Sequence, residues 1–236
     1  MLMDKPFFLA LDFRTENDVK TFIKDHDLFG VPVKVGMELF YREGRPIIDW
    51  LNKQGHPIFL DLKLHDIPTT VEKAMYNLAS LGVDIVNVHA SGGSEMIKAA
   101  KRGLEAGAVK EIPKLIAVTV LTSMDEQVLQ EELHIQQPLS DAVERLALLT
   151  KESGADGVVC SAHEVPTIKK ACGDSFLTVT PGIRLSDSNQ NDQKRVATPT
   201  LAKQNGADYL VIGRSITKAD NPQINYQRVV EEWNHA

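Results

Sequence analysis

The chain alternates between two hydrophobic rhythms. Short segments with every second residue apolar are followed by longer segments with apolar residues every third or fourth position. Phe7 to Phe13 reads as a first strand, with Leu9, Leu11 and Phe13 on one face and Phe8, Ala10 and Asp12 on the other. Thr15 is the N-cap expected for a helix through about Lys24. Val31 to Gly36 is a second strand, with Pro32 and Lys34 opposite three valines, and Glu38 to Asn52 reads as one helix stopped at Gly55. Pro57 to Leu64 is the third strand: Leu60, Leu62 and Leu64 share one face, Asp61 and Lys63 the other. Asp66 follows just past its end, so three charges are expected to converge at one mouth.

The same alternation predicts a helix from about Pro68 to Leu81, a strand from Ile85 to Ala90 and an alanine- and lysine-rich helix after Gly93. In that fourth strand Asn87 and His89 oppose Val86 and Val88. Further strands are read at Lys114–Leu121, Gly157–Ser161, Phe176–Thr180 and Tyr209–Gly213. Helices are read at Leu139–Ser153, Glu164–Ala171, Thr200–Gly206 and Pro222–Trp233. Two connections are long: the one from Thr122 to Pro138, read as a functional loop with a short helix, and the polar stretch from Pro181 to Arg195, expected to be mobile when empty. Eight βα units imply a parallel sheet closed into a (β/α)₈ TIM barrel. The rival is an open doubly wound sheet, whose dinucleotide form is disfavoured because no Gly-x-Gly-x-x-Gly follows strand one.

Bulk properties narrow the reading. The 236 residues, 43% of them hydrophobic, suit one catalytic domain over residues 1–236, near the roughly 250 residues usual for such barrels. A net charge of −6 without a basic tract argues against nucleic acid as a partner. No apolar run approaches the ~20 residues of a membrane span, and the N-terminus passes into an apolar strand with no signal-peptide pattern. Cys160 and Cys172 lack metal-type spacing and read as reduced thiols, so a cytoplasmic protein without membrane association is expected.

Barrel enzymes carry their chemistry at the C-terminal strand ends. Asp12, Lys34, Asp61, Lys63, Asp66, Thr122, Pro181, Arg184, Gly213 and Arg214 all fall at or just beyond such ends, whereas randomly scattered charges would also populate the N-terminal ends. A structural ion network is the bland alternative, but inward charges are costly as scaffolding alone. Lys63 between two carboxylates favours its ammonium form. That suits a proton donor rather than a Schiff-base nucleophile, and a cationic lysine in a closed site stabilises and then protonates a carbanion. The strand-seven and strand-eight ends look built for phosphate. Arg214 offers a bidentate fork beside Gly213, and Gly182, Arg184 and Gln193 are placed to close over the ligand.

Asp61-Leu62-Lys63-Leu64-His65-Asp66-Ile67-Pro68-Thr69-Thr70-Val71 resembles the signature of the orotidine 5′-phosphate decarboxylases. Leu11-Asp12-Phe13, Val33-Lys34-Val35-Gly36, Leu121-Thr122-Ser123, Thr180-Pro181-Gly182-Ile183-Arg184, Asp192-Gln193-Lys194-Arg195 and Ile212-Gly213-Arg214-Ser215-Ile216 match in the same order. The resemblance, to the bacterial form, covers nearly the whole chain. It implies a decarboxylation of orotidine 5′-phosphate to uridine 5′-phosphate in pyrimidine synthesis, with no cofactor and no metal. It also implies a homodimer in which Asp66 and Thr70 reach into the partner's site.

Carried onto this chain, the resemblance makes Lys63 the proton donor to carbon 6, with Asp61 beside the substrate carboxylate and Lys34 and Asp66 completing the charged array. Asp12 and Lys34 would contact the ribose, Thr122 and Ser123 the base. Gln193, Gly213 and Arg214 would hold the phosphate under a loop closed by Pro181, Gly182 and Arg184. The competing readings are a magnesium-dependent phosphosugar decarboxylase, a metal-dependent epimerase and a nucleotide sensor. Lys34 would repel magnesium, and no matched His/Asp ligand set stands at successive strand ends.

Overall fold

A computed structural model describes residues 6–185 and 196–236. Eight parallel strands close in chain order: β1 (Phe7–Ala10), β2 (Val33–Gly36), β3 (Ile58–Leu64), β4 (Ile85–His89), β5 (Lys114–Val118), β6 (Gly157–Val159), β7 (Leu177–Thr180) and β8 (Tyr209–Ile212). β8 pairs back onto β1, so the expected barrel is the observed one. The helices are α1 (Glu16–Asp25), α2 (Met37–Glu43), α3 (Arg45–Lys53), α4 (Pro68–Ala79), α5 (Gly93–Gly107), α6 (Leu139–Glu152), α7 (Val165–Cys172), α8 (Pro199–Gln204), α9 (Arg214–Thr217) and α10 (Pro222–Asn234). Thr15 caps α1 as expected, accepting the Asp18 N–H in a reciprocal capping box.

The side chains themselves identify the inside of the barrel. Phe8 of β1 meets Phe59 of β3 at 5.8 Å between ring centres, although β2 lies between their strands. That contact must cross the lumen. The inner layer is therefore the small cluster of Phe8, Ala10, Phe59, Ile85, Ile116 and Val179 with the β8 residues Tyr209 and Val211. Register carries the same parity around the ring: Ala10 pairs with Lys34, and Lys34 with Phe59. Lys34, Asp61 and Asn87 then fall on the lumen side. The leucines of β3 join the larger core between barrel and helices.

Three expectations change and one holds. The single helix over 38–52 is two, α2 and α3, because Gly44 takes a left-handed φ of 63° and Pro46 follows within the first turn of α3. The long connection after β5 does carry the expected short helix, a continuous run over 126–132 whose last five residues, Val128–Glu132, are π-wound. A separate short helix, α9, intervenes before α10. The inward-outward alternation of β3 holds, but its ladder does not. Leu60 pairs with Val86 and Leu64 with Val88, so four residues of β3 advance against two of β4, and Lys63 has φ 51° inside this bulge.

The stretch from Ser186 to Arg195, with Gln193 and the expected mobile loop, lies outside the described residues. Its described flanks are tied together. Arg184 N–H donates to the Ala197 carbonyl at 2.9 Å, and Ala197 N–H to the Gly182 carbonyl at 3.2 Å.

Candidate active site

The ends of β8, β1, β2, β3 and β4 form one continuous arc of polar groups. Asp12 lies just beyond β1, and Lys34 of β2 donates to its Oδ1 at 3.1 Å. Lys34 Nζ also stands 3.4 Å from Asp61 Oδ2. Lys63 Nζ donates to Asp61 Oδ1 at 2.6 Å. Asn87 Nδ2 donates to that same oxygen at 2.7 Å, while Asn87 Oδ1 accepts the Lys63 main-chain N–H at 2.8 Å. On the other flank, the Gly213 main chain lies beside Asp12: a Cβ there would stand 3.8 Å from Asp12 Oδ2. Gly36 is packed against the array, since a Cβ there would come within 3.2 Å of Lys34 Nζ.

Of these groups Asp12, Lys34, Gly36, Asp61 and Lys63 line a cleft of about 220 Å³. A larger hollow of about 360 Å³ lies between α4 and α5, lined by Glu72, Lys73, Tyr76 and Asn77. It is remote from the strand ends, so size does not decide the site; the converging charges do.

Burial sets the electrostatics. It would push the Lys34 ammonium down, but Asp61 and then Asp12 outweigh it and hold Lys34 above its ordinary value. Burial would likewise push Asp61 up, yet Lys34, Lys63 and the hydrogen bonds from Lys63 and Asn87 keep it below the usual carboxylate range. Asp61 is therefore ionised at neutral pH between two cations. His89 is held below its ordinary value by burial, then by its neighbours His65 and Lys63.

One expectation is corrected. Within a single chain, the ammonium between two carboxylates is Lys34, not Lys63. Lys63 meets Asp61, and Asp66 stands apart: it is exposed, and its Oδ1 accepts the N–H of Ile67 at 2.6 Å. The reason is the direction of the chain after Leu64, which carries residues 65–70, Thr70 included, outward onto an exposed surface.

The other expected residues are spread along the same rim. Thr122 is half-buried and Ser123 exposed beyond β5. Pro181 and Gly182 follow β7, and Arg184 is buried with Nη1 donating to the Ile183 carbonyl at 2.9 Å. Arg214 is exposed at the first position of α9, where Gly213 is the N-cap. Asn87 was not singled out from the sequence. Its signal was present all the same: an amide on the inner face of a strand that is otherwise apolar up to His89 must find partners.

Among the described residues, no group of three or more His, Cys, Asp and Glu side chains is placed to hold a metal ion. No described helix is long and apolar enough to cross a membrane.

Comparison with known proteins identifies the family. The family model described as orotidine 5′-phosphate decarboxylase / HUMPS family matches residues 5–229. Orotidine 5′-phosphate decarboxylase of Geobacillus sp. (strain WCH70) is 56% identical over 233 residues, 98% of either chain. The protein of the same name from Bacillus cytotoxicus is equally similar, 56% identical over 98% of either chain. Among solved structures, orotidine 5′-phosphate decarboxylase from Lactobacillus acidophilus superimposes with a TM-score of 0.86 at 45% identity, over 98% of this chain and all of that one. This chain belongs to the orotidine 5′-phosphate decarboxylase / HUMPS family.

Proposed function

We propose that this chain decarboxylates orotidine 5′-phosphate to uridine 5′-phosphate, a step of pyrimidine synthesis, without a cofactor or metal. The observation that carries the reading is the Lys63–Asp61–Lys34–Asp12 chain of ions on the inner face of the barrel mouth. The substrate carboxylate lies against Asp61. As carbon dioxide leaves, the bonding electron pair stays on carbon 6, where the Lys63 ammonium stabilises it. Lys63 Nζ then transfers a proton to carbon 6, and the neutral amine regains one from water. Lys34 and Asp12 meet the ribose hydroxyls, and Thr122 and Ser123 the base. Gly213, Arg214 and Gln193 hold the phosphate, with Pro181, Gly182 and Arg184 closing the strand-seven loop. Phosphate binding far from the breaking bond supplies energy to orient the ring.

The family description also covers a second, HUMPS branch. A magnesium enzyme needs hard oxygens around the cation. Here Lys34 Nζ lies between Asp12 and Asp61, where such a cation would have to sit.

The functional unit is proposed to be a cytoplasmic homodimer of single-domain chains. The exposed run 65–70, with Ile67 67% exposed, supports Asp66 and Thr70 acting in a partner's site. Cys160 and Cys172, joined in no disulfide, suit a reducing compartment.

The test is a spectrophotometric assay of orotidine 5′-phosphate loss with excess chelator. Turnover that survives chelation supports the reading. Turnover that appears only with magnesium and a phosphosugar acid overturns it. Arg214→Ala should raise KM for the phosphorylated substrate; equal losses on phosphate-free orotidine would refute its assignment. Mixing Lys63→Ala with Asp66→Ala subunits should restore part of the activity, and no rescue after proven subunit exchange would count against shared sites.

A further inference from the structure

We infer that Asn87 is a positioning residue for the reaction: its one amide fixes the main chain of Lys63 and the carboxylate that holds the Lys63 ammonium. The inference rests on the decarboxylase reading above, which makes Lys63 the proton donor.

Because four residues of β3 advance against two of β4, the ladder is interrupted between Leu60 and Leu64. A buried N–H without a partner is costly, so the main chain there needs an acceptor from elsewhere. Asn87 Oδ1 supplies it at 2.8 Å. The same residue, Lys63, takes φ 51°, a conformation disfavoured for any side chain with a Cβ. Something must over-determine it, and the bond from β4 does.

The second half of the amide is committed as well. Asn87 Nδ2 donates to Asp61 Oδ1, the oxygen that also accepts Lys63 Nζ. The orientation of the amide follows from its partners: an N–H can only donate and an ionised carboxylate can only accept. Lys63 is thus held at both ends, main-chain N–H and ammonium, through one side chain on the neighbouring strand. At 1% exposure, Asn87 meets no competing solvent. Serine or threonine would be too short to span both partners, and aspartate would set a carboxylate against Asp61.

Two variants of the full-length enzyme test this. Asn87→Ala should lower kcat by about 100-fold, the scale of a misplaced reacting group, with KM within about threefold. Binding of uridine 5′-phosphate and cooperative unfolding should persist. Asn87→Asp should be weak at neutral pH and recover relative to wild type as pH falls. Its protonated carboxyl can donate to Asp61 and accept from Lys63 as the amide does. The charged and titratable groups facing it are Asp61, Lys63, Lys34, His89 and, beyond His89, His65. A kcat for Asn87→Ala within threefold of wild type would overturn the inference. So would loss of nucleotide binding in step with kcat, which marks a merely structural role. If Asn87→Ala does not fold, the Asn87→Asp profile decides, and a profile parallel to wild type overturns the inference. Wild-type protein silent on orotidine 5′-phosphate would sink the decarboxylase reading instead. The clamp is then judged by hydrogen exchange of the Lys63 amide. Exchange at least tenfold faster in the variant supports it, and equal rates overturn it.

Discussion

The two rims of the barrel both carry ion pairs that are at least partly shielded from solvent, and they use them differently. At the N-terminal rim, Asp84, Asp156 and Asp208 stand just ahead of β4, β6 and β8. Each accepts a main-chain N–H from the preceding strand: Ile58 at 2.7 Å, Leu115 at 2.9 Å and Thr178 at 2.7 Å. Each is the third residue of a Gly-x-Asp turn whose glycine has φ between 69° and 86°. At the C-terminal rim, the described partners of Asp12 and Asp61 are side chains. A carboxylate that bonds main chain locks one strand to the next. A carboxylate that bonds only ammonium and amide groups instead fixes charges that face a cleft. Ion pairs at a strand end are therefore not in themselves a sign of a site; the identity of their partners is.

The sharpest way to break this comparison is to delete one ion from each rim. Lys63→Ala should cut turnover by about 10²–10⁴-fold, the usual worth of a positioned proton donor, and leave the melting temperature nearly unchanged. Near-normal turnover would sink its assigned role. Asp208→Ala should do the reverse. It removes the acceptor for Thr178 N–H, Thr178 Oγ1 and Lys169 Nζ, the last at 2.7 Å. The expected cost is about 2–3 kcal/mol in denaturant unfolding, allowing for partial exposure, with kcat per folded molecule retained.

A smaller effect separates two members of the lower rim. Asp156 pairs with Lys101 at 2.8 Å and Lys114 at 3.2 Å. Despite burial, these and the Leu115 N–H hold it below its ordinary 3.8. Asp84 keeps its main-chain bond, but burial prevails and it is raised. The signs then differ. Asp156 contributes stability that is present above pH 3.8 and lost as pH falls through its lower folded value. Ionised Asp84 costs stability at neutral pH, and that cost is relieved as pH falls through its raised value. Asp156→Asn should therefore destabilise by about 1–2 kcal/mol at pH 7, a deficit that closes in acid. Asp84→Asn retains an oxygen for Ile58 N–H and should change stability by less than about 1 kcal/mol, toward gain at pH 7. Unfolding curves at pH 7 and about pH 3, below the ordinary carboxylate value, measure both, and the same sign for the two variants would refute the distinction.

The lower rim was also the part of the molecule least legible beforehand. The charges at the C-terminal ends stood out because Lys34, Asp61 and Lys63 interrupt apolar strands. Asp84, Asp156 and Asp208 sit in turns, where an aspartate is unremarkable. The contrast drawn from the sequence, in which the N-terminal ends lacked charge, does not hold. The site survives on partner identity and on motif, not on charge position alone.

Sequence by itself determined the order of βα units, the inward face of each charged strand residue and the family. Each of these is written locally, in periods of two and 3.6 residues or in short contiguous motifs. The break between α2 and α3 at Gly44 and Pro46 is not read from sequence, because the apolar spacing runs on across both helices. What only the tertiary structure decided is which groups meet. Lys34, rather than Lys63, lies between two carboxylates; β3 bulges at a lysine no glycine announces; and Asn87 reaches Lys63 across 24 residues of sequence. Such contacts depend on register between strands and on how a closed barrel turns its side chains toward one mouth. A periodicity, being the same for any register that preserves the buried face, does not contain that information.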